Sequence, residues 1–238
     1  MLERLLNELP RFFEYYTLML LLQGAAMTLL VTLVGCAAGF LFGTVIVFLR
    51  QTPGVLAFPL RLAAIAYVEI FRRVPFLVVL YLVLFFMQAI TADASLLAIA
   101  LVAICLFSTA YISEIIRGGL ESVPRQQIEA ASAMNFSRWQ TLTQVVVPQA
   151  WPVILPPAVV FMVSFIKDSA LVSQIGVMEL AKVGKILNDR GLSALLVYGI
   201  IFLMYFLMSY PLARLGAWLE TRLASPRSQR PEMLLRPA

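Results

Sequence analysis

The chain has 238 residues, of which 61% are hydrophobic and only 13% are charged, and its net charge is +5. Soluble domains carry about 25% charged residues, so this composition excludes an ordinary soluble domain and indicates that much of the surface faces lipid. There is no histidine, and the two cysteines, Cys36 and Cys105, lie in apolar stretches without metal-ligand spacing, which argues against a metal site. The basic residues form no run, which argues against nucleic-acid binding.

Five stretches of the sequence lack charged residues and are long enough to cross a bilayer. They cover residues 15–49, 74–92, 94–113, 139–166 and 191–213. Because a crossing takes about 20 helical residues, the sequence predicts an all-α integral membrane protein with five transmembrane helices. The first stretch is longer than a perpendicular span needs, so we expect it to tilt or to extend into the interface. The assigned regions are an external N-terminal segment, one transmembrane domain and a disordered cytoplasmic tail: 1–14, 15–224 and 225–238.

The lysines and arginines are distributed unevenly between the two ends of the predicted spans. With the N-terminus outside, twelve of the 18 basic residues fall in inside segments and six fall in outside segments. Cytoplasmic segments are the ones enriched in Lys and Arg, so the predicted orientation is N-out, C-in. This orientation places the polar insert between the third and fourth spans, about 118–148, in the cytoplasm.

The stretch between the first two spans, residues 53–73, is apolar but interrupted by four charged residues: Arg61, Glu69, Arg72 and Arg73. Such a pattern is typical of an amphipathic helix that lies at the membrane interface. Pro75 follows, and because proline cannot donate a backbone hydrogen bond, we expect the chain to bend there before the second span.

The polar insert contains the signals of two helices separated by a break. Pro124 suits the first turn of a helix, which should run through about Met134. Asn135 can adopt the left-handed conformation that ends a helix. Ser137 and Gln140 have the spacing of a capping box, which predicts that a second helix starts there.

Four charged residues lie beside the predicted spans. Glu114 and Arg117 are three residues apart, so they share a helix face and are predicted to form a structural pair, with a gating role as the alternative. Lys167 and Asp168 end the fourth span. Charges this close to lipid usually face a protein interior or a water-filled path, so these two either line a substrate pathway or belong to an ordinary helix-end loop.

The sequence of the insert resembles the EAA motif of ABC-importer permeases, which reads Glu-Ala-Ala, three residues, Gly, nine residues, Ile-x-Leu-Pro. Here Glu129-Ala130-Ala131 is followed at the same spacing by Asn135 and by Val-Val-Val-Pro at 145–148. Further blocks resemble the polar amino-acid (histidine, glutamine and glutamate) permeases of that class, and together they span roughly residues 20–212. These blocks are 66–72, 110–119, 122–124, 147–150, 167–171 and 175–180.

The resemblance implies the type I ABC-importer permease fold, with cytoplasmic coupling helices, in the bacterial inner membrane. It implies a non-catalytic subunit that binds no cofactor, because ATP and Mg would be used by a separate ATPase present in two copies. The other implied partners are a second permease chain, an external substrate-binding protein and the lipid bilayer. Together, the two permeases would form the path for a polar amino acid.

The resemblance also assigns residues to roles. Contact with the ATPase is assigned to Gln127, Glu129, Ala130, Ala131, Ala133 and Asn135, with Glu129 as the charged residue and Ala130 and Ala131 as a close-packing face. Asn135 and Gln126 stand where the family prefers glycine. Val160 stands where many relatives have a polar asparagine, and this loss predicts a heterodimer whose partner makes most of the substrate contacts. The candidate pathway residues are Val160, Ser164, Lys167 and Asp168.

Two other classes of protein are alternatives to this interpretation of the sequence. A self-sufficient secondary transporter or channel would show inverted repeats, broken helices and ionisable residues at mid-membrane. The sequence shows neither a repeat nor a charge at the centre of a span, although its prolines at 148, 152, 156 and 157 could break a helix. A membrane enzyme is disfavoured by the absence of histidine and of clustered acids. Intrinsic ATP hydrolysis is disfavoured because the sequence has no phosphate-binding G-x-x-x-x-G-K-[ST] loop.

Overall fold

The computed structural model describes residues 8–91 and 93–223, which form helices and connecting turns without a β-strand. The predicted tail, 225–238, and half of the predicted external segment lie outside the described residues. The α-helices, in chain order, are α1 (Tyr15–Gln51), α2 (Phe58–Arg73), α3 (Phe76–Ile90), α4 (Leu96–Glu121), α5 (Arg125–Ala133), α6 (Arg138–Gln140), α7 (Val147–Asp168), α8 (Leu180–Asp189) and α9 (Ala194–Leu223). A π-helical turn, Thr141–Val146, joins α6 to α7, and 3-10 helices cover Leu9–Phe13 and Ser169–Ile175.

Four helical segments are long and apolar enough to cross a membrane: α1, α4, the continuous segment Arg138–Ile175 that contains α7, and α9. The fifth candidate is the pair α2–α3, which is bent by 116°. The bend lies at Val74 and Pro75, as predicted, because proline disfavours the helical conformation in the residue before it and Val74 is extended. α3 has only 15 residues, about 22 Å of helix, so it is shorter than the predicted span 74–92, and it counts as a candidate span only when its length is taken together with that of α2.

α1 packs against α4 along a stripe of buried glycines spaced four residues apart, Gly35, Gly39 and Gly43. Ser108 on α4 donates a hydrogen bond to the carbonyl oxygen of Gly35 at 2.6 Å. A Cβ atom added to Gly39 would lie 2.5 Å from Cδ1 of Ile112 and 3.1 Å from the backbone carbonyl oxygen of Ser108, so a larger residue there requires its neighbours to move. Small residues at this spacing let membrane helices come close together. The stripe was not predicted, although its Gly-x-x-x-Gly-x-x-x-Gly spacing is visible in the sequence.

α8 was not predicted as a helix. It is amphipathic and buries Leu180, Val183 and Leu187 in a cluster with residues of α1 and α9. A Cβ atom added to Gly184 would lie 3.0 Å from Cγ1 of Ile201 on α9, so glycine at this position lets the two helices pack closely. α8 therefore packs against both the first and the last span. It lies at the end of the molecule that also contains the 3-10 helix Ser169–Ile175.

Candidate functional site

The insert between α4 and α7 presents α5 as an exposed helix. Pro124 precedes it in an extended conformation, one position before the first helical turn in which it was predicted. Four of the residues predicted to contact a partner are exposed on this segment: Gln127, Glu129, Ala130 and Ala133. Ala131 is only 3% exposed and packs inside its own chain. The prediction that Ala131 faces a partner is therefore wrong. A surface helix packs one face against its own protein, and Ala131 lies on that face.

The end of α5 has the predicted break. Asn135 has a φ of 59° and is the only non-glycine residue with positive φ among the described residues. The backbone N–H of Phe136 donates to the carbonyl of Ala131 at 3.1 Å, and that of Asn135 donates to Ser132 at 3.0 Å. This pair of hydrogen bonds is the Schellman motif, which satisfies the last carbonyls of a helix and requires a left-handed residue at the position of Asn135.

The second helix of the insert starts with the predicted capping box. The backbone N–H of Gln140 donates to Oγ of Ser137 at 3.2 Å, and the N–H of Ser137 donates to Oε1 of Gln140 at 2.8 Å. α6 then continues through the π-helical turn into α7. Pro148, in the first turn of α7, lacks the N–H of a regular α-helical bond, which accounts for the local change of helix type. The insert is therefore connected to the fourth span by unbroken helix.

Five charged residues meet where α1, α2 and α4 approach the insert, and we call them the Glu114 cluster: Arg50, Arg72, Glu114, Arg117 and Glu121. Glu114 accepts a hydrogen bond from Nε of Arg117 at 2.7 Å and one from Nη1 of Arg50 at 2.9 Å. Nη1 of Arg72 lies 3.9 Å from the same carboxylate, and Arg117 also pairs with Glu121. The pair expected from the sequence is thus part of a larger set of contacts among three helices.

The candidate pathway residues lie on α7. Val160, Ser164 and Lys167 follow one another at helical spacing, so they share a face. The side chain of Val160 is 61% exposed, Ser164 is partly buried, and Lys167 and Asp168 are exposed. Lys167 lines a cavity of about 500 Å³ together with Ala170 and with aromatic residues of α9: Tyr198, Phe202, Tyr205 and Phe206. Val160 and Ser164 do not line this cavity, so the four candidates do not converge on one site within this chain.

Glu179 is a buried polar residue that the sequence reasoning did not identify. Its carboxylate is 0% exposed and accepts hydrogen bonds from Tyr205 Oη at 2.7 Å, the backbone N–H of Lys182 at 2.8 Å and Thr28 Oγ1 at 3.4 Å. It therefore caps α8 and ties it to α1 and α9. Burial raises the pKa of Glu179 above its ordinary value, while the hydrogen bonds from Tyr205 and from the backbone oppose the rise. The sequence does contain a signal for this residue, because Glu179 is a single acidic residue between apolar segments.

We expect Glu179→Gln to change how stability depends on pH. A carboxyl whose pKa is higher in the folded state contributes stability that is fully present below its unfolded pKa and is lost as pH rises through the folded pKa. Acidification from about pH 8 to about pH 5 should therefore raise the Tm of the unmodified chain more than that of Glu179→Gln. Thermal unfolding in detergent measures this, with the exposed carboxyl variant Glu129→Gln as the control. Parallel Tm curves for all three proteins would contradict the assignment.

The fold agrees with that of known proteins. Residues 55–225 match the protein family described as "Binding-protein-dependent transport system inner membrane component". The chain belongs to this family. The family predicted from the sequence is thereby confirmed, and so is its place as a multi-pass protein of the inner membrane. Membership argues against the alternative of a self-sufficient secondary transporter or channel.

Related proteins match this chain over most of its length. It is 35% identical over 185 residues to the probable amino-acid ABC transporter permease protein YckA of Bacillus subtilis, which covers 78% of this chain and 80% of that one. It is 31% identical over 206 residues to the glutamine transport system permease protein GlnP of Escherichia coli, which covers 86% and 93%. Matches over 78% and 86% of the chain include the insert at 118–148 wherever they begin.

Solved structures share the architecture. The crystal structure of an amino acid ABC transporter with histidines matches with a TM-score of 0.79 at 30% identity, covering 85% of this chain and 94% of that chain. An inward-facing structure of the MetNI methionine ABC transporter shares the fold at 23% identity, with a TM-score of 0.75 and coverage of 89% and 100%. The predicted type I ABC-importer permease fold is therefore confirmed, whereas the orientation N-out, C-in stays a prediction.

Proposed function

We propose that the permease is the membrane subunit of an ATP-driven importer of a polar amino acid. It forms the translocation path with a second permease, receives substrate from an external binding protein and is driven by two copies of a separate ATPase, which binds and hydrolyses ATP with Mg. The amino-acid class is supported by the names of the relatives. The observation that carries the proposal is the exposed helix α5, whose end is fixed by the Schellman motif at Asn135.

α5 has the properties that a docking helix needs. Gln127, Glu129 and Ala133 are exposed, and the short side chain of Ala130 lets another surface approach closely. Ala131, one helical turn after Gln127, is buried inside its own chain and marks the side by which α5 is held. A helix that is packed on one side and exposed on the other can transmit a displacement without rotating about its own axis. The partner that binds the exposed side of α5 would be the ATPase.

The substrate path lies along α7 in this proposal. Val160, Ser164 and Lys167 share a face, and the large exposure of Val160 leaves room for a second permease to complete the path. A valine offers no hydrogen bond to a zwitterionic amino acid, and an unpaired ammonium or carboxylate in an apolar site is costly. We therefore infer that the second permease is a different chain and supplies most of the polar contacts, while Lys167 and Asp168 lie near the mouth of the path.

The test of the coupling role is Glu129→Arg. Glu129 is the only acid on α5, so its reversal should remove a favourable contact with the ATPase and weaken co-purification by about tenfold or more. The matched control is Asp189→Arg, which reverses an exposed acid on α8, away from the insert. Unchanged ATPase association and unchanged uptake in Glu129→Arg would show that α5 is not the docking helix.

The test of the transport role is reconstitution into proteoliposomes with the ATPase, the second permease and the binding protein. A panel of radiolabelled polar amino acids is supplied outside, and accumulation should require ATP inside. Omitting the second permease should abolish accumulation. Full activity with this chain as the sole permease would rule out the obligate heterodimer while leaving the importer role intact.

A further inference from the structure

The Glu114 cluster has more positive than negative charge, and Glu114 is the residue that contacts all three of its arginines. It contains three arginines and two glutamates, so its net charge is +1. Glu114 is the acid that contacts arginines from three helices: Arg50 of α1, Arg72 of α2 and Arg117 of α4. Within 8–91 and 93–223, Glu121 forms an ion pair with Arg117 alone. Neutralising Glu114 would leave three guanidinium groups near one another with one acid, a net charge of +2.

Partial burial makes the loss of one partner of this cluster more costly than the loss of one partner of an exposed ion pair. The side chains of Arg50 and Glu114 are only 15% and 17% exposed, whereas the Arg73–Glu69 pair on α2 is 78% and 45% exposed. Exposed pairs contribute little because water screens them. A partly buried arginine that loses its only acid keeps the cost of desolvation without compensation. Arg50 has no other hydrogen-bond or ion-pair partner among the described residues, so it depends on Glu114.

The position of the cluster relates it to the insert. α4 ends at Glu121, and only residues 122–124 separate it from α5. Within this short connection Val123 is 6% exposed and packs in a buried cluster with Val47 of α1 and Ile116 of α4, together with Val146 and Ile154 at the start of the fourth span. The base of α5 is therefore packed against the ends of α1 and α4, two of the three helices that the Glu114 cluster joins by charge.

We propose that Glu114 is a positioning residue for transport: it holds the inner ends of α1, α2 and α4 as one unit, so that displacement of α5 moves these spans together. This inference rests on the proposed function, since α5 is displaced by the ATPase. Without Glu114, α4 and α5 still move during ATP hydrolysis, but α1 and α2 follow incompletely. ATP is then hydrolysed without matching uptake.

The experiment uses the full complex in proteoliposomes and measures ATP hydrolysis and uptake in the same preparation, with whichever labelled amino acid the unmodified complex accumulates. Glu114→Gln keeps the size of the side chain and removes its charge. We expect uptake per ATP hydrolysed to fall about three- to thirtyfold, the range over which residues that couple distant sites act. Arg50→Lys keeps a cation that can reach Glu114 and should retain most of the coupling. Glu69→Gln, which breaks the exposed pair on α2, should leave the ratio unchanged.

A second measurement separates positioning from folding. Spin labels at Gln51→Cys and Ser122→Cys, in a background without Cys36 and Cys105, report the distance between the inner ends of α1 and α4. This distribution should broaden in Glu114→Gln while the Tm of the complex stays above the assay temperature. Equal loss of uptake and hydrolysis, or an unchanged distance distribution, would overturn the inference. Absence of ATP-driven uptake in the unmodified complex would instead overturn the proposed function and, with it, this role of Glu114.

Discussion

Replacing Gly43 by leucine should separate α1 from α4 and give the largest loss of stability of any single substitution discussed here. A Cβ at Gly43 would lie 3.0 Å from the backbone nitrogen of Ser113, 3.3 Å from its Cα and 3.4 Å from the carbonyl oxygen of Thr109. These are backbone atoms of a buried helix, so no side-chain rotation relieves the contact. Adding a whole leucine side chain there requires the two helices to move apart, at a cost of at least about 1–3 kcal/mol.

The loss should appear as a lower Tm and a lower yield of monodisperse protein in detergent. The control is Gly199→Leu in α9, where an added Cβ meets nothing within 4 Å. The two variants make the same change in composition and in intrinsic helix propensity, and both positions lie within a spanning helix. Equal Tm values for the two would mean that the close approach of α1 and α4 contributes little to stability. A lower Tm in Gly43→Leu but not in Gly199→Leu would identify the contact between α1 and α4 as the cause.

Features that depend on neighbouring residues could be predicted from the sequence. The bend at Pro75, the break at Asn135 and the capping box at Ser137 and Gln140 each arise from the chemistry of a few consecutive residues. The apolar stretches were similarly visible, because a bilayer crossing demands about 20 consecutive apolar residues. The resemblance to a permease family then connected these local features to one fold.

Features that depend on distant residues could not be predicted in the same way. Glu179 accepts a hydrogen bond from Thr28, 151 positions earlier, and Arg50 contacts Glu114, 64 positions later. Periodicity within α5 also could not show which side faces the protein, and so Ala131 was assigned to a partner although it is buried. In each case the missing information was which helix lies next to which, and this is set by packing rather than by local preference.

The break at Asn135 leads to the second large effect: Asn135→Val should impair coupling, whereas Asn135→Gly should be tolerated. At φ 59° a β-branched side chain collides with its own backbone, at a cost of about 1–2 kcal/mol, and glycine meets no such cost. Valine should therefore shift the chain out of the left-handed conformation. This would break the hydrogen bonds from Asn135 and Phe136 to the last turn of α5 and change the angle at which α5 leaves the insert.

The expected outcome is ATPase co-purification and ATP-driven uptake near the unmodified level for Asn135→Gly, and both reduced about tenfold for Asn135→Val, since 1.4 kcal/mol corresponds to a factor of ten. Asn188→Val makes the same substitution inside α8, where the backbone is helical, and should leave coupling unchanged. If Asn135→Val couples as well as Asn135→Gly, the left-handed residue does not set the direction of α5. A defect in both Asn135 variants would instead indicate that the asparagine side chain itself contacts the ATPase.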